Sequence, residues 1–253
     1  MDESAAVLQD VARWLAASQC AVAFTGAGIS TESGIPDFRS PGGFWSVNRP
    51  VMFDDFCRDR DARKEYWRQK CAAARDYSDA RPNPAHEALA RWETQGRLRG
   101  VITQNIDELH QQAGSRNVLE LHGTACKIAC LDCAARFPLE PLQTEFMQSD
   151  EPPTCPACGG LLKHATISFG QALPQATLEE AARWCCEADL MLAMGSSLVV
   201  TPAAELPRIA AGAGARLVII NREETPLDHL ADAVIRAALG PTLTAIDALL
   251  PHA

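Results

Sequence analysis

The chain has 253 residues, 47% of them hydrophobic and 22% charged, which suffices for a sizeable core and is ordinary for a globular protein. A formal charge of −9 argues against direct binding of a nucleic-acid backbone, and no apolar run approaches the roughly 20 residues of a membrane span. The first fifteen residues are acidic and helix-patterned, unlike the basic-then-apolar start of a secretory signal, so a cytoplasmic location is expected.

In chain order, residues 4–18 read as a helix capped by Ser4, with Val7, Leu8, Val11 and Leu15 on one face. Cys20 to Thr25 is a short buried strand that runs straight into Gly26-Ala27-Gly28. Residues 42–81 are polar and aromatic and read as a small helical insert. Asn83-Pro84 opens a helix with a cap and a first-turn proline, and Gly96 closes it. Further strands are expected at 100–104, 118–121, 165–169, 190–194, 217–220 and 233–236, and further helices at 174–188, 202–211 and 242–250. Several of these strands are continuous apolar runs, as in a parallel sheet covered on both faces. Alternating strand and helix predict an α/β fold with a Rossmann-like doubly wound parallel sheet. Residues 126–163 interrupt that rhythm and carry little helix signal.

Ten cysteines are many for a cytoplasmic chain, but four of them form two C-x-x-C pairs, Cys130/Cys133 and Cys155/Cys158, 21 residues apart. Two such knuckles can present four thiolates tetrahedrally to Zn²⁺, and Gly159-Gly160 supplies the permissive backbone of a tight turn. Four protein ligands leave no position for a substrate, so the predicted metal is structural. Cys126, four residues before Cys130, stays open as a substitute ligand.

The Gly26-Ala27-Gly28-Ile29-Ser30 turn lets backbone approach a phosphate closely, although the glycines alone suit an unliganded turn as well. It lacks the Gly-Lys-Ser/Thr of a P-loop, which argues against an ATPase. The segment Gly34-Ile35-Pro36-Asp37-Phe38-Arg39 suits a loop folded over a ligand. Gly195-Ser196-Ser197 and Asn221-Arg222 end later strands, where doubly wound sheets bind ligands. Gln104-Asn105-Ile106-Asp107 and His122-Gly123 end two others, placing an imidazole of near-neutral pKa beside amides and an acid as a candidate base. His86, His110, His164, His229 and His252 lack such company and read as structural or exposed.

Together these motifs resemble the sirtuin family. The matching elements run in that family's order across nearly the whole chain, with Ser168-Phe169-Gly170 and Gly195-Ser196-Ser197-Leu198 among them. The resemblance implies an NAD-binding Rossmann domain with a small domain made of a zinc module and a helical module. The large domain would comprise residues 1–41, 82–125 and 165–253, the helical module 42–81 and the zinc module 126–164. It implies removal of acyl groups from protein lysines, with NAD as co-substrate, Zn²⁺ as structural metal, and nicotinamide and O-acyl-ADP-ribose as products.

The resemblance also assigns roles. His122 as general base and Asn105 are the catalytic positions. Gly26, Ala27, Gly28, Ser30, Asp37, Phe38, Arg39, Gln104, Asn105, Ile106, Asp107, Gly195, Ser196, Ser197, Asn221 and Arg222 would hold NAD. Ser168, Phe169 and Gly170 on one side, and Leu198, Val199 and Val200 on the other, would pair with an acylated-lysine peptide as an added strand. Gln171 stands where many relatives have glutamate. Tyr66-Trp67-Arg68-Gln69 has glutamine where desuccinylating relatives have arginine, so a neutral acyl group is expected, with Arg68 as the residue that could reverse this. Protein mono-ADP-ribosylation on the same scaffold and a non-catalytic zinc-ribbon module are the rival functions. No direct nucleic-acid or membrane partner is expected, and the sequence leaves the oligomeric state open, a monomer being compatible with it.

Overall fold

The computed structural model describes residues 3–36 and 49–251. Five-residue strands β1 (Ala21–Thr25) and β7 (Leu190–Met194) are buried throughout, because their apolar side chains meet helices on both faces. With β2 (Gly100–Thr103), β3 (Val118–Glu120), β8 (Arg216–Ile220) and β9 (Ala233–Ile235) they form a parallel six-stranded sheet in the order β3-β2-β1-β7-β8-β9. The strand order reverses direction between β1 and β7, so a crevice opens at their carboxyl ends.

One face of the sheet is covered by α1 (Glu3–Ala17), α4 (Pro84–Thr94) and α9 (Leu239–Leu249), around Val11, Leu15, Leu89, Trp92, Leu243 and Ile246. The helix at the amino end begins at Glu3, so Ser4 lies inside it and not at its cap. Helix α4 begins as the sequence predicts: the Asn83 side chain accepts from Ala85 N, His86 completes a capping box, and Pro84 sits in the first turn. Asp247 of α9 ties the two helices together, accepting from Arg91 Nη2 at 2.8 Å and Trp92 Nε1 at 2.7 Å. The other face packs α7 (Gln175–Glu187) and α8 (Glu205–Gly212) through Ala181, Cys185, Leu206 and Ala210.

A second, antiparallel sheet holds β4 (Gly123–Cys130) between β5 (Arg136–Pro138) and β6 (Leu162–Thr166). This corrects the sequence reading twice. The strand expected at 165–169 lies earlier, at 162–166, and belongs to the small sheet, because β6 finds its partner in β4. The segment expected to lack helix carries α6 (Leu139–Ser149). That helix buries Phe146 against Trp67 of α3 (Arg60–Ser78), with ring centres 5.7 Å apart. Helix α3, with α2 (Phe53–Arg58) before it, is the predicted helical insert. It shares one apolar core with the small sheet, built on Phe56, Tyr66, Trp67, Ile128 and Leu162.

Candidate active site and metal centre

The glycine turn lies where the crevice opens. Gly26 N donates to Met194 O and Gly28 N to Gly195 O, stitching the end of β1 to the end of β7. A Cβ on Gly26 would stand 2.8 Å from Gly195 O, and one on Gly28 2.7 Å from Gly195 Cα. These glycines are therefore required by backbone packed against backbone, in addition to any ligand. Short 3-10 turns at Ala27–Ile29 and Thr31–Ser33 follow, and Gly34, with a φ of 86°, ends them.

Behind this turn the Ser30 hydroxyl donates to Asp107 Oδ2 at 2.7 Å and accepts from Asn105 Nδ2 at 3.0 Å. All three side chains are buried. Asp107 Oδ1 accepts from the N–H of Leu109, the first residue of α5 (Leu109–Ala113). Burial pushes the Asp107 carboxyl above its usual pKa, against the pull of the Leu109 N–H and the Ser30 hydroxyl. Asn105 is thereby fixed in orientation before any ligand arrives.

His122 follows β3. Its Nδ1 lies 2.9 Å from Gln104 O, and since a carbonyl only accepts, Nδ1 carries the proton and Nε2 keeps its lone pair. Burial lowers the pKa of the ring, against the Gln104 bond that raises it, so the neutral base is the resting form. Gly123 turns the chain next, with a φ of 69°. A Cβ there would stand 2.0 Å from Ala165 O. The His-Gly pair is thus set by the approach of β6, whose continuation is anchored where Ile167 N donates to His122 O at 2.9 Å.

These groups open on one cavity of about 980 Å³. Its wall includes Gly26, Ala27, Gly28, Gln104, Asn105, Ile106, His122, Gly195, Ser196, Ser197, Asn221 and Arg222, together with Ser168, Phe169 and Gly170. Gln104 Nε2 bridges the two halves of that wall by donating to Ser196 Oγ at 2.8 Å. Ser30 and Asp107 stand behind the lining and support it through Asn105. Leu198 is buried and Val199 half exposed, and neither lines the cavity, whereas Val200 does. Asp37, Phe38 and Arg39 lie outside the described residues. Arg68 pairs with Asp150 through Nε at 3.0 Å and Nη2 at 2.6 Å and does not reach the wall, where Tyr66, Gln69 and Lys70 stand instead.

Some lining residues escaped the sequence reading. Glu32 lines the wall and accepts from Gly240 N at 3.0 Å, joining the glycine turn to the start of α9. Ala237 and Leu239 bring that helix N-terminus, a natural neighbour for phosphate, to the cavity. The sequence reading started this helix three residues late, at Thr242, and so missed it.

The four paired cysteines meet at the end of the small sheet. Their sulfurs lie within 4.8 Å of one another, with Cys130 to Cys158 at 3.5 Å and Cys133 to Cys155 at 3.7 Å. Four thiolates about 2.3 Å from one tetrahedral ion are spaced by roughly 3.8 Å, so the set fits Zn²⁺. The N–H groups of Asp132 and Cys133 point at Cys130 Sγ, as in a metal knuckle. Asp132 braces the second knuckle by accepting from Leu161 N, in a space that requires Gly160 to lack a Cβ. Cys126 stands apart, half-buried, with its sulfur 3.8 Å from Asp107 O, and is not in the cluster.

A doubly wound parallel sheet with a polar cavity at its switch point, and a four-cysteine module beside it, define a nucleotide-binding α/β protein with a metal-stapled insert. The Sir2 family model matches residues 26–202. An NAD-dependent protein deacetylase of Rhodopseudomonas palustris is 49% identical over 88% of each chain, and NAD-dependent protein deacetylase 1 of Bradyrhizobium diazoefficiens is 48% identical over 90% of this chain and 91% of its own. A solved structure of Sir2 with a p53 peptide and NAD+ is 39% identical, covers 94% of this chain and 96% of that one, and superposes with a TM-score of 0.86. A second, of Sir2Tm bound to a propionylated peptide, gives 38%, the same coverage and 0.85. The chain belongs to the Sir2 family.

Proposed function

We propose that this chain is an NAD-dependent protein-lysine deacylase, with acetyl-lysine as its default substrate. The observation that carries the reading is His122: one ring nitrogen is tied to Gln104 O, and the other remains a lone-pair acceptor in a cavity roomy enough for a dinucleotide and a side chain. NAD is consumed as a substrate, its phosphates facing the glycine turn and the start of α9. The acyl oxygen of the modified lysine displaces nicotinamide from the ribose. Asn105, held by Ser30, positions the ribose and the departing ring together with Gln104 and Ile106. His122 takes a proton from a ribose hydroxyl, which attacks the carbon joined to the lysine nitrogen. Water completes the exchange, giving free lysine and O-acyl-ADP-ribose.

Zn²⁺ held by Cys130, Cys133, Cys155 and Cys158 supplies structure and no chemistry in this reading, since its protein ligands close the shell. The nucleotide-binding unit takes residues 1–41, 82–125 and 165–253, apart from the ends of β4 and β6 that pair in the small sheet, with 42–81 as the helical module and 126–164 as the zinc module. Gly195, Ser196, Ser197, Asn221 and Arg222 hold the adenosine half, and Asp37, Phe38 and Arg39, outside the described residues, are assigned to the nicotinamide end. The peptide adds as a strand between 168–170 and 198–200. The partners are acylated proteins and not nucleic acid, in the reducing cytoplasm where metal-binding thiols persist. No helix among the described residues is long and apolar enough to cross a membrane.

The test is incubation with NAD and an acetyl-lysine peptide, followed by mass spectrometry. Free lysine peptide with equimolar nicotinamide and O-acetyl-ADP-ribose supports deacylation. Radiolabel passing from NAD to protein, with the acetyl group retained, replaces it with ADP-ribosylation.

A further inference from the structure

The chain has four lysines, Lys64, Lys70, Lys127 and Lys163, and three of them are engaged or closed off. Lys64 Nζ lies 3.0 Å from Glu151 Oε1 and 3.7 Å from Asp150 Oδ2. Lys127 Nζ lies 3.1 Å from Glu108 Oε1. Lys163 is 1% exposed and donates to the carbonyls of Thr166 and His164, the latter at 3.3 Å. Lys70, on α3, differs from all three. It stands half-buried in the cavity wall, and among the described residues it makes no hydrogen bond and has no carboxylate within 4.0 Å.

Packing sets its place in that wall. Lys70 follows Tyr66 by one helical turn, and its Nζ stands 5.6 Å from the centre of the Tyr66 ring. Lys163 Nζ stands 5.4 Å from the same ring. The Tyr66 hydroxyl lies 3.4 Å from the Thr166 hydroxyl, and the next residue, Ile167, donates through its N–H to His122 O. The Lys70 amine therefore belongs to the same stretch of wall as the imidazole. The titratable groups around it are Tyr66, Lys163 and His164, with Cys57 beyond Lys163. None brings negative charge near neutral pH, because burial raises the phenol and the thiol and lowers the His164 ring. An ammonium drawn out of water without a counter-charge gives up its proton readily, and burial brings Lys70 down to about 8.

An unpaired amine open to a cavity of about 980 Å³ and partly unprotonated is a nucleophile. We infer that Lys70 is an acylation site, whose nitrogen takes an acyl group from an activated donor, a thioester or an acyl phosphate, that enters the cavity. The nitrogen lone pair attacks the carbonyl carbon of the donor, and an amide bond forms. The carbon–sulfur or carbon–oxygen bond breaks, thiolate or phosphate leaves with the bonding pair, and the nitrogen releases one proton to solvent. The resulting amide is neutral and stands in the wall near His122, where it takes up room needed by the acyl group of a substrate. Acylated Lys70 thus closes the site. That consequence rests on the deacylase reading above, whereas the acylation itself does not.

The experiment treats the full chain at pH 8 with acetyl-coenzyme A or with acetyl phosphate, without NAD or peptide, and maps acetylated lysines over time by mass spectrometry. Lys70 is expected to react about tenfold or more faster than Lys64 or Lys127. About half of an amine titrating near 8 is free base at that pH, against about 1% or less of an ordinary lysine. Lys163, shut away from both donors, is expected to stay unmodified. Rapid labelling by either donor supports the site and identifies the source of the acyl group. Lys70 labelled no faster than Lys64 and Lys127, or by neither donor, overturns the inference. A second arm follows turnover of an acetyl-lysine peptide after treatment. Turnover is expected to fall in step with the fraction of Lys70 modified, and that of Lys70→Arg, whatever its own rate, to survive the same treatment. Full turnover by a chain mapped as modified at Lys70 overturns the closing of the site and leaves the acylation standing. A chain without peptide turnover before treatment takes down the deacylase reading, and the labelling rates still decide the assignment to Lys70.

Discussion

His122 Nδ1 lies 2.9 Å from Gln104 O, so the backbone at the end of one strand chooses the tautomer of the imidazole at the end of the next. The bond joins residues that both follow parallel neighbours, β2 and β3, whose register pairs Thr103 with Glu120. A one-residue slip in that register would turn the ring away from the cavity.

Replacing His122 by alanine should lower kcat for the acetyl peptide by about 10² or more, the usual worth of a general base. NAD binding, followed by calorimetry, should change far less. An equal loss of both would mean that the ring is a packing element.

Acid should destabilise the fold through histidines that are buried in neutral form. Burial lowers His86 to about 4, and burial also lowers His110 and His164 well below the usual value. Above about pH 6.5 these rings are neutral in both states and contribute nothing to pH dependence. Below it the unfolded chain binds protons that the folded chain refuses, so stability falls as pH drops toward 4. His86 alone accounts for roughly 3 kcal/mol at the end of that window. Urea midpoints measured between pH 7 and pH 4.5 check the sign, and midpoints that rise on acidification would contradict it.

Metal analysis should find one zinc per chain. Its removal by a chelator should lower the melting temperature and abolish turnover, because β4, β5 and β6 share a core with α3 that the thiol cluster pins. Cys155→Ser should reproduce the loss. A zinc-free protein with unchanged circular dichroism and melting would refute a structural metal.

Two glycines with positive φ should respond differently to alanine. At Gly123 the new Cβ would meet Ala165 O at 2.0 Å, whereas at Gly96 it meets nothing within 4 Å. Gly96→Ala should cost only the backbone strain of about 1 kcal/mol, and Gly123→Ala several times that. Denaturant titrations of the two variants provide the comparison.

Asp107→Asn should cost about 1–3 kcal/mol, since it weakens an acceptor that serves both Ser30 and the Leu109 N–H in a buried place. It should also raise KM for NAD, because Asn105 loses the support that orients it. Unchanged KM with lowered stability would confine Asp107 to a structural role.

The parallel sheet was legible because Ala21–Thr25 and Leu190–Met194 are apolar on both faces, a pattern that survives without any knowledge of partners. The cap at Asn83 was legible for a similar reason, being chemistry within four residues. The metal set could be read from spacing, since two knuckles each fix their own geometry. Other features were not local. Strand β6 was assigned to the wrong sheet because its partner β4 lies some forty residues earlier and its own pattern fits either sheet. Arg68 and Lys70 are neighbours on one helix, and only the docking of α3 on the small sheet sends one to Asp150 and the other to the cavity.

By itself, the sequence of this chain marked the buried parallel strands β1 and β7, the cap at Asn83 and the spacing of the four paired cysteines, because each depends on contacts a few bonds away. The tertiary structure alone decided which nitrogen of His122 is free, why Gly123 must lack a side chain, and which side chains of α3 reach the cavity wall. Those outcomes depend on atoms far apart in the chain approaching within about 3 Å, and a linear pattern carries no record of such distances.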